Sequence, residues 1–236
     1  MPVKRPQFVN EEIYHIIVRG ITGQKTFLEE KDYLRYLYSL YRFNDKKIAD
    51  FGLGKLPQEA ILGRERGEES RELLVEILGF CLMPNHIHLL LRQFTDKGIS
   101  LFLQKMGGYA TYFNKKHRRF GSLFQRPFKA VHIKNEDQLL IVITYIHLNP
   151  IDLIEYNWKT EGITNSLKVL EFLESYSWSS YPHYLGKGKF PWLINPAFLN
   201  KILESPENFR NFVKARIFHK AELNNFLEKT KNFSLE

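Results

Sequence analysis

The sequence predicts an α+β fold in which short strands alternate with helices. Two observations indicate this class. Apolar runs of strand length alternate with stretches of helical spacing, and the composition, 44% hydrophobic and 14% aromatic, suits a globular core. The predicted order is strand, helix, strand, strand, helix, strand, helix. Such an order favours a sheet that carries its helices on one face.

The first strand is predicted at "EEIYHIIVRG", residues 11–20, which is β-branched, partly alternating and closed by a glycine. The first helix is predicted at "LEEKDYLRYLYSLYRFN", because its first turn is acidic and its apolar residues recur at helical spacing. Residues 42–76 are rich in charge and glycine, and we interpret them as an inserted loop.

Two more strands are predicted in "ELLVEILGFCLMPNHIHLLLRQ", with the break at Met83-Pro84-Asn85, because proline cannot donate to a strand ladder. A helix with Gly107 and Gly108 in its middle follows, then a loop and a short strand. The next helix, "NEDQLLIVITYIHLNP", opens with Asn135 as the predicted N-cap and ends before Pro150.

The chain of 236 residues is predicted to hold one main domain, residues 1–155, and a mainly helical, aromatic extension, residues 156–236. No apolar run reaches the ~18 residues of a membrane helix. The N-terminus shows no apolar signal region, and Cys81 is the single cysteine. These features predict a cytoplasmic protein without membrane partners or internal disulfides.

The net charge of +8 and a pI near 9.4 make anionic partners plausible. The distribution of the charged residues indicates which kind of anionic partner fits. Residues 97–135 contain many lysines, arginines and aromatic residues and no acidic residue. Basic groups hold phosphates and aromatic faces stack unpaired bases. The predicted DNA-binding residues are Lys105, Tyr109, Lys115, Lys116, Arg118, Arg119, Arg126 and Lys129. The alternative is a solvated basic face beside ordinary core aromatics.

His86 and His88 stand two residues apart in "MPNHIHLLL", so on a strand both rings point to one side of the sheet. Two imidazoles placed so can share one divalent ion. A single functional histidine, or a pair of structural core histidines, is at least as common an explanation of this pattern. With one neutral oxygen as a third ligand, Mg²⁺ or Mn²⁺ would fit and would keep positions open for phosphate oxygens.

Tyr145 and Asn149 lie one turn apart on the helix that ends before Pro150. Tyr145 offers a phenol nucleophile, and Asn149 offers a carbonyl oxygen that could complete a metal site. The alternative is a core tyrosine and a helix-terminal asparagine. Tyr109 and Tyr112 are weaker candidates for the nucleophile, because neither has a comparable polar partner four residues later.

Five segments in order resemble the REP-associated tyrosine transposases, a branch of the single-tyrosine His-hydrophobic-His (HUH) transposases. They are "YHIIVRG", "DYLRYLYSL", "GFCLMPNHIHLLL", "FGSLFQRPFKA" and "YIHLNP", together spanning roughly residues 13–154. The resemblance implies a ferredoxin-like antiparallel sheet, a homodimer and a cytoplasmic, nucleoid-associated enzyme. It also implies cleavage and rejoining of single-stranded DNA at or beside a hairpin.

The resemblance further implies roles for particular residues. Tyr145 would be the nucleophile that forms a 5′-phosphotyrosine, and His86, His88 and Asn149 would hold Mg²⁺ or Mn²⁺. His86 and His88 thereby count as catalytic residues as well. Two other functions fit the same residues: a non-catalytic protein that binds hairpin DNA, and a metal-dependent phosphoesterase of small substrates.

Overall fold

A four-stranded antiparallel sheet forms the centre of the computed structural model, which describes residues 6–47 and 71–218. The strands are β1 (Ile13–Arg19), β2 (Val75–Met83), β3 (His86–Gln93) and β4 (Lys129–Ile133), in the order β2-β3-β1-β4. The main helices are α1 (Glu30–Arg42), α2 (Gly98–Lys116) and α3 (Glu136–Leu148). The predicted α+β class is confirmed, and the strand order is that of a ferredoxin-like sheet.

β2 and β3 form a tight hairpin whose turn is Pro84 and Asn85, where the sequence predicts the break. The turn is also bound to the end of β1. The backbone N–H of Gly20 donates to the carbonyl of Asn85 at 2.8 Å, and that of Thr26 donates to Pro84 at 2.7 Å. These bonds hold the first residues of β3 beside the last residues of β1.

Both faces of β3 are buried. Ile87, Leu89 and Leu91 on one face and Leu90 on the other have no solvent exposure. The second face is covered by α3. This is shown at Gly79, where an added Cβ would lie 2.5 Å from Cδ1 of Ile143 on α3. α3 therefore covers the face of the sheet that carries Leu90, which is also the face of His86 and His88, and it brings its own side chains there.

α1 and α2 are joined by a buried carboxylate. Asp32 completes a capping box with Glu29 at the start of α1, and it accepts from Lys116 Nζ at 2.7 Å. His117 Nε2 lies 3.0 Å from the same carboxylate. A buried charge is tolerated only when paired and hydrogen-bonded in this way.

The two ends of the predicted insertion are fixed to each other, while its middle, residues 48–70, lies outside the described residues. Asn44 donates to the carbonyl of Val75 at 2.8 Å and accepts from the N–H groups of Leu74 and Val75. Arg71 donates to the carbonyls of Tyr41 and Asn44. Residues 75 and 76 belong to β2, so the predicted boundary at 76 extends past the start of that strand.

The extension beyond residue 155 is mainly helical within the described residues, as predicted. Its helices are α4 (Trp158–Glu161), α5 (Ser166–Ser175), α6 (Tyr181–Tyr184), α7 (Ala197–Leu203) and α8 (Pro206–Phe218). Residues 178–180 bind the free edge of β2: Leu82 N–H donates to the Trp178 carbonyl at 2.8 Å, and Phe80 N–H donates to Ser180 Oγ at 2.9 Å. The domain boundary at 155 is untested and stays a proposal.

No helix within residues 6–47 and 71–218 is both long enough and apolar enough to cross a membrane.

Candidate metal and nucleophile site

His86 and His88 start β3, and their rings lie on the same face of the sheet with centroids 4.9 Å apart. His88 is buried, and His86 is partly buried at the end of the sheet. The Asn85 side chain orients His86, since its Oδ1 lies 2.8 Å from Nδ1 of that ring. The pleat thus places two imidazoles together, as the spacing predicts.

A third histidine, His15 on β1, belongs to the same cluster and was missed by the sequence analysis. Its Nε2 lies 2.9 Å from Nδ1 of His88, and the two rings stack with centroids 5.1 Å apart. The antiparallel register causes this contact, because Ile17 pairs with His88 and His15 lies two residues earlier on the same face. Nothing local in "YHIIVRG" marks His15, because its partner is on another strand.

The three imidazoles are held neutral. Burial lowers the pKa of His15 to about 3 and that of His86 to about 4, and it lowers the pKa of His88 well below its usual value. Burial disfavours the charged form of a histidine because it removes the water that solvates the cation. Neutral imidazole is the form that binds metal ions, so these rings suit that role.

Tyr145 projects from α3 toward the histidines. Its half-buried ring lies 5.6 Å from the ring of His88 and 6.2 Å from that of His15, both edge to face. Asn149 follows one turn later, where its Nδ2 donates to the Tyr145 carbonyl at 2.7 Å. A hydrogen bond between the Asn149 side chain and His86 raises the pKa of that ring against the effect of burial. All four predicted catalytic and metal residues therefore converge.

The donor set suits a hard divalent cation. Nε2 of His88 is buried and has no hydrogen-bond partner among the residues described, while Nδ1 of the same ring is bound to His15. The Asn149 amide reaches the His86 ring, so its oxygen could serve as a third ligand beside the two ring nitrogens. Within the described ranges, no group of three or more His, Cys, Asp or Glu residues could hold a metal ion by itself, so a site here would need the Asn149 oxygen.

Two cations near the histidines were also missed from the sequence. Arg19 lies directly across from His86 in the β1–β3 register, and Lys159 follows α3 in the extension. Their charges lower the pKa of both His86 and His88, after the larger effect of burial. Asp152 pairs with Lys159 at 3.3 Å and opposes this effect at His86. Arg19 and Lys159 thus place positive charge beside the two rings, as a site for an anion such as a phosphate requires.

The predicted DNA-binding residues separate into two groups. Lys115, Arg118 and Arg126 are exposed, and Lys129 is half-buried on β4. The other four have structural contacts: Lys105 caps the carbonyls of residues 45–47, Lys116 binds Glu29 and Asp32, Arg119 binds Asn114 and Gln24, and Tyr109 donates to the Thr26 carbonyl. Tyr109 is 1% exposed and offers no face to a base, so it is a core residue.

Part of the chain matches a known protein family. Residues 67–149 match the family described as "Transposase IS200 like". This segment resembles the IS200-like transposases. The matched segment is shorter than half of the chain. It contains His86, His88, Tyr145 and Asn149, and it does not reach His15 or Arg19 on β1.

Among solved structures, the chain is similar to one described as a REP-associated tyrosine transposase bound to a REP hairpin. The two share 13% sequence identity with a TM-score of 0.49, and the match covers 83% of this chain and 92% of that chain. None of the curated proteins matches this chain. The likeness to the IS200-like transposases therefore depends on the matched segment and on the site.

Proposed function

We propose that the protein is a transposase that cleaves and rejoins single-stranded DNA near hairpins through a covalent bond to Tyr145. The observation that carries the proposal is the convergence of the Tyr145 ring on His86 and His88, with the Asn149 amide beside them. The match of residues 67–149 to the IS200-like transposases supports the same activity.

His86, His88 and Asn149 would hold Mg²⁺ or Mn²⁺, and a bound cation would polarise the scissile phosphate and stabilise charge on its oxygens. His15 would fix the orientation of His88 through the hydrogen bond between the rings. Arg19 and Lys159 would attract the DNA backbone to this end of the sheet.

In the reaction, the Tyr145 oxygen forms a bond to phosphorus as the bond from phosphorus to the 3′ oxygen breaks. The products are a 5′-phosphotyrosine and a strand that ends in a free 3′-hydroxyl. The covalent link preserves the energy of the phosphodiester, so a second 3′-hydroxyl can attack it and rejoin two strands without a nucleotide cofactor. A hydrolase would instead transfer the phosphate to water.

The exposed cations Lys115, Arg118 and Arg126 would bind the phosphates of the single strand or hairpin, with Lys129 beside them. The resemblance to the tyrosine transposases also supports a homodimer as the working form. Light scattering of the purified chain tests that assembly directly.

The decisive experiment incubates the protein and Mn²⁺ with hairpin oligonucleotides that carry single-stranded flanks and a 3′ label, then separates the products on a denaturing gel. The wild type should give a shifted band of protein covalently bound to the labelled 3′ fragment. Tyr145→Phe should abolish that band and retain DNA affinity, because it removes one oxygen from a half-buried ring.

Tyr156→Phe is the matched control, because Tyr156 is 90% exposed and follows the same helix in the chain. It should give the wild-type yield of adduct. An unchanged adduct in Tyr145→Phe would remove that residue from the nucleophile role. Salt-sensitive binding with no adduct in any divalent ion would favour the non-catalytic alternative, and free 5′-phosphate without adduct would favour a phosphoesterase.

A further inference from the structure

The loop between α2 and β4 presents a phenylalanine to solvent. Phe120 is 95% exposed, the highest exposure among the large hydrophobic side chains of the described residues. A fully exposed phenylalanine gives up the stabilisation that burial of its ring would provide, so this position is a poor choice for a purely structural residue. A single exposed apolar residue is common on protein surfaces, and further observations are needed to assign it a role.

The loop holds Phe120 in a fixed place. Asn114, near the end of α2, donates through Nδ2 to the carbonyl of Gly121 at 2.8 Å and accepts from Nη1 of Arg119 at 2.8 Å. Both neighbours of Phe120 are therefore bound to one side chain. Arg119 also donates to Gln24 at 2.9 Å, which fixes the loop to the segment after β1.

The backbone on both sides of Phe120 is left-handed, with φ of 51° at Arg118 and 84° at Gly121. Left-handed backbone is uncommon for a residue other than glycine. These two positions turn the chain sharply, and the Phe120 ring between them is 95% exposed.

The charge around this ring selects the partner. Lys115 and Arg118 are exposed near the ring, and they take part in none of the ion pairs within the described residues. No acidic residue occurs between residues 97 and 135. An aromatic face among unpaired cations fits a nucleic acid strand, whose bases stack and whose phosphates are anionic.

The loop is joined to the end of the sheet that carries the histidines. Phe124 bridges Gly20, and the N–H of Gln125 donates to the carbonyl of Arg19 at 2.8 Å. Arg19 is the register partner of His86. Because four residues of chain reach at most about 14 Å, Phe120 lies within a few nucleotides of this end of the sheet.

From these observations we infer that Phe120 is a preformed stacking site for an unpaired base of the DNA strand, held in place by Asn114 and flanked by Lys115 and Arg118. The inference rests on the proposed single-stranded DNA substrate and adds the residue that contacts its bases. Because the loop on both sides of the ring is already fixed, little backbone entropy is lost when a base stacks on it.

Fluorescence anisotropy tests the inference with labelled (dT)20 and with a blunt 20-base-pair duplex. Phe120→Ala should weaken binding of (dT)20 by about 5- to 100-fold, the range for loss of one base-stacking aromatic residue. Affinity for the duplex should change less than about twofold, because its bases already stack on one another. Phe120→Trp should bind (dT)20 as the wild type does, because it keeps an aromatic face.

The salt dependence separates stacking from charge. Phe120→Ala should leave the slope of log affinity against log salt unchanged, whereas Arg118→Ala should reduce it by about 0.7 for a single strand. Asn114→Ala should weaken binding of (dT)20 while the charge stays constant. Leu167→Ala, at a 65% exposed apolar position in the extension, is the control and should match the wild type.

The inference would be overturned if Phe120→Ala bound (dT)20 as tightly as the wild type does. It would also be overturned if the variant lost affinity for the duplex by the same factor as for (dT)20. A Phe120→Leu variant that binds (dT)20 normally would overturn it too, because leucine keeps the apolar surface and removes the ring face. Failure of the adduct assay would leave these binding results intact. The proposed chemistry and the stacking site can therefore fail separately.

Discussion

His15 and His88 share a buried hydrogen bond between two different strands, with 2.9 Å between Nε2 of His15 and Nδ1 of His88. A His88 ring that presents the lone pair of Nε2 carries its proton on Nδ1, and that N–H can donate to His15. The contact thus selects the tautomer in which Nε2 of His88 is available as a ligand. His15 is a positioning residue in this interpretation, because it acts through His88.

Replacement of His15 by alanine should therefore weaken metal binding by about 10- to 100-fold, which is usual for loss of a group that orients a ligand. The measurements are Mn²⁺ binding by electron paramagnetic resonance and the Mn²⁺ concentration that gives half the maximal adduct. His15→Gln should recover part of the affinity, because an amide oxygen can accept from His88.

The matched control for His15 is His132→Ala. His132 lies on β4, where its ring pairs with Glu12 at 2.7 Å, and it has no contact with His88. Its removal should leave the Mn²⁺ dependence unchanged. Equal Mn²⁺ affinity of His15→Ala and the wild type, in a folded variant, would show that the bond between the rings is structural only.

Asn149→Ala should lower adduct yield at limiting Mn²⁺ by about tenfold or more, because it removes an oxygen beside His86. The lost bond to the Tyr145 carbonyl should cost about 1 kcal/mol of unfolding free energy. A urea titration measures the second effect, and a gel assay over a range of Mn²⁺ concentrations measures the first. If Asn149→Ala matches the wild type in adduct yield at limiting Mn²⁺ and in the Mn²⁺ concentration that gives half the maximal adduct, Asn149 is not a ligand.

Gly79→Ala should destabilise the protein by about 1–3 kcal/mol and lower adduct yield, because the new methyl group would lie 2.5 Å from Cδ1 of Ile143 on α3. Movement of α3 would shift Tyr145 relative to the histidines. Ile143→Val removes that Cδ1 atom, so the double variant should recover much of the loss. Additive losses in the double-mutant cycle would exclude this contact as the cause.

Asp32→Asn should reduce unfolding free energy at pH 7 by about 2–3 kcal/mol, because it weakens a buried carboxylate bound to Lys116 and His117. Burial raises the pKa of Asp32, but the hydrogen bonds from Lys116, the Leu28 N–H and His117 outweigh burial and lower it overall. A lowered pKa means that the stabilisation is complete above the unfolded pKa of about 3.8 and is lost as the pH falls through the folded value.

Urea unfolding at pH 7 and at pH 3 measures this effect. The difference between the wild type and Asp32→Asn should shrink at the lower pH. Asp137→Asn, in the exposed first turn of α3, is the control and should change stability by less than about 1 kcal/mol. A difference that is constant with pH would assign the loss to packing and not to the charge.

Much of the fold could be predicted from local sequence patterns. The proline at residue 84 marks the β2–β3 turn, and the spacing of His86 and His88 places both rings on one face. Asn135 caps α3 as predicted, accepting from the N–H of Gln138 at 2.8 Å. Each of these features is set by neighbours within a few residues, which is the range that a sequence pattern reports.

The parts that could not be predicted depend on distant partners. His15 becomes part of the site only through the pairing of β1 with β3. Lys116 lies in the basic segment that predicts DNA contacts, yet its side chain is bound by acidic residues more than 80 positions earlier. The spacing of apolar residues places Tyr109 on one face of α2, but the spacing does not tell whether that face lies against the core or in solvent. Charge and periodicity identify candidate residues, while the tertiary pairing decides their exposure.

The binding of residues 178–180 along β2 has a practical consequence for shortened forms of this protein. A chain cut after residue 155 would leave the backbone groups of Phe80 and Leu82 without their partners. It would also remove Ser180, whose Oγ lies 2.7 Å from Nε2 of His147 on α3. Such a fragment would expose an unpaired strand edge and would tend to self-associate, so residues 1–155 should be produced together with the extension that covers this edge.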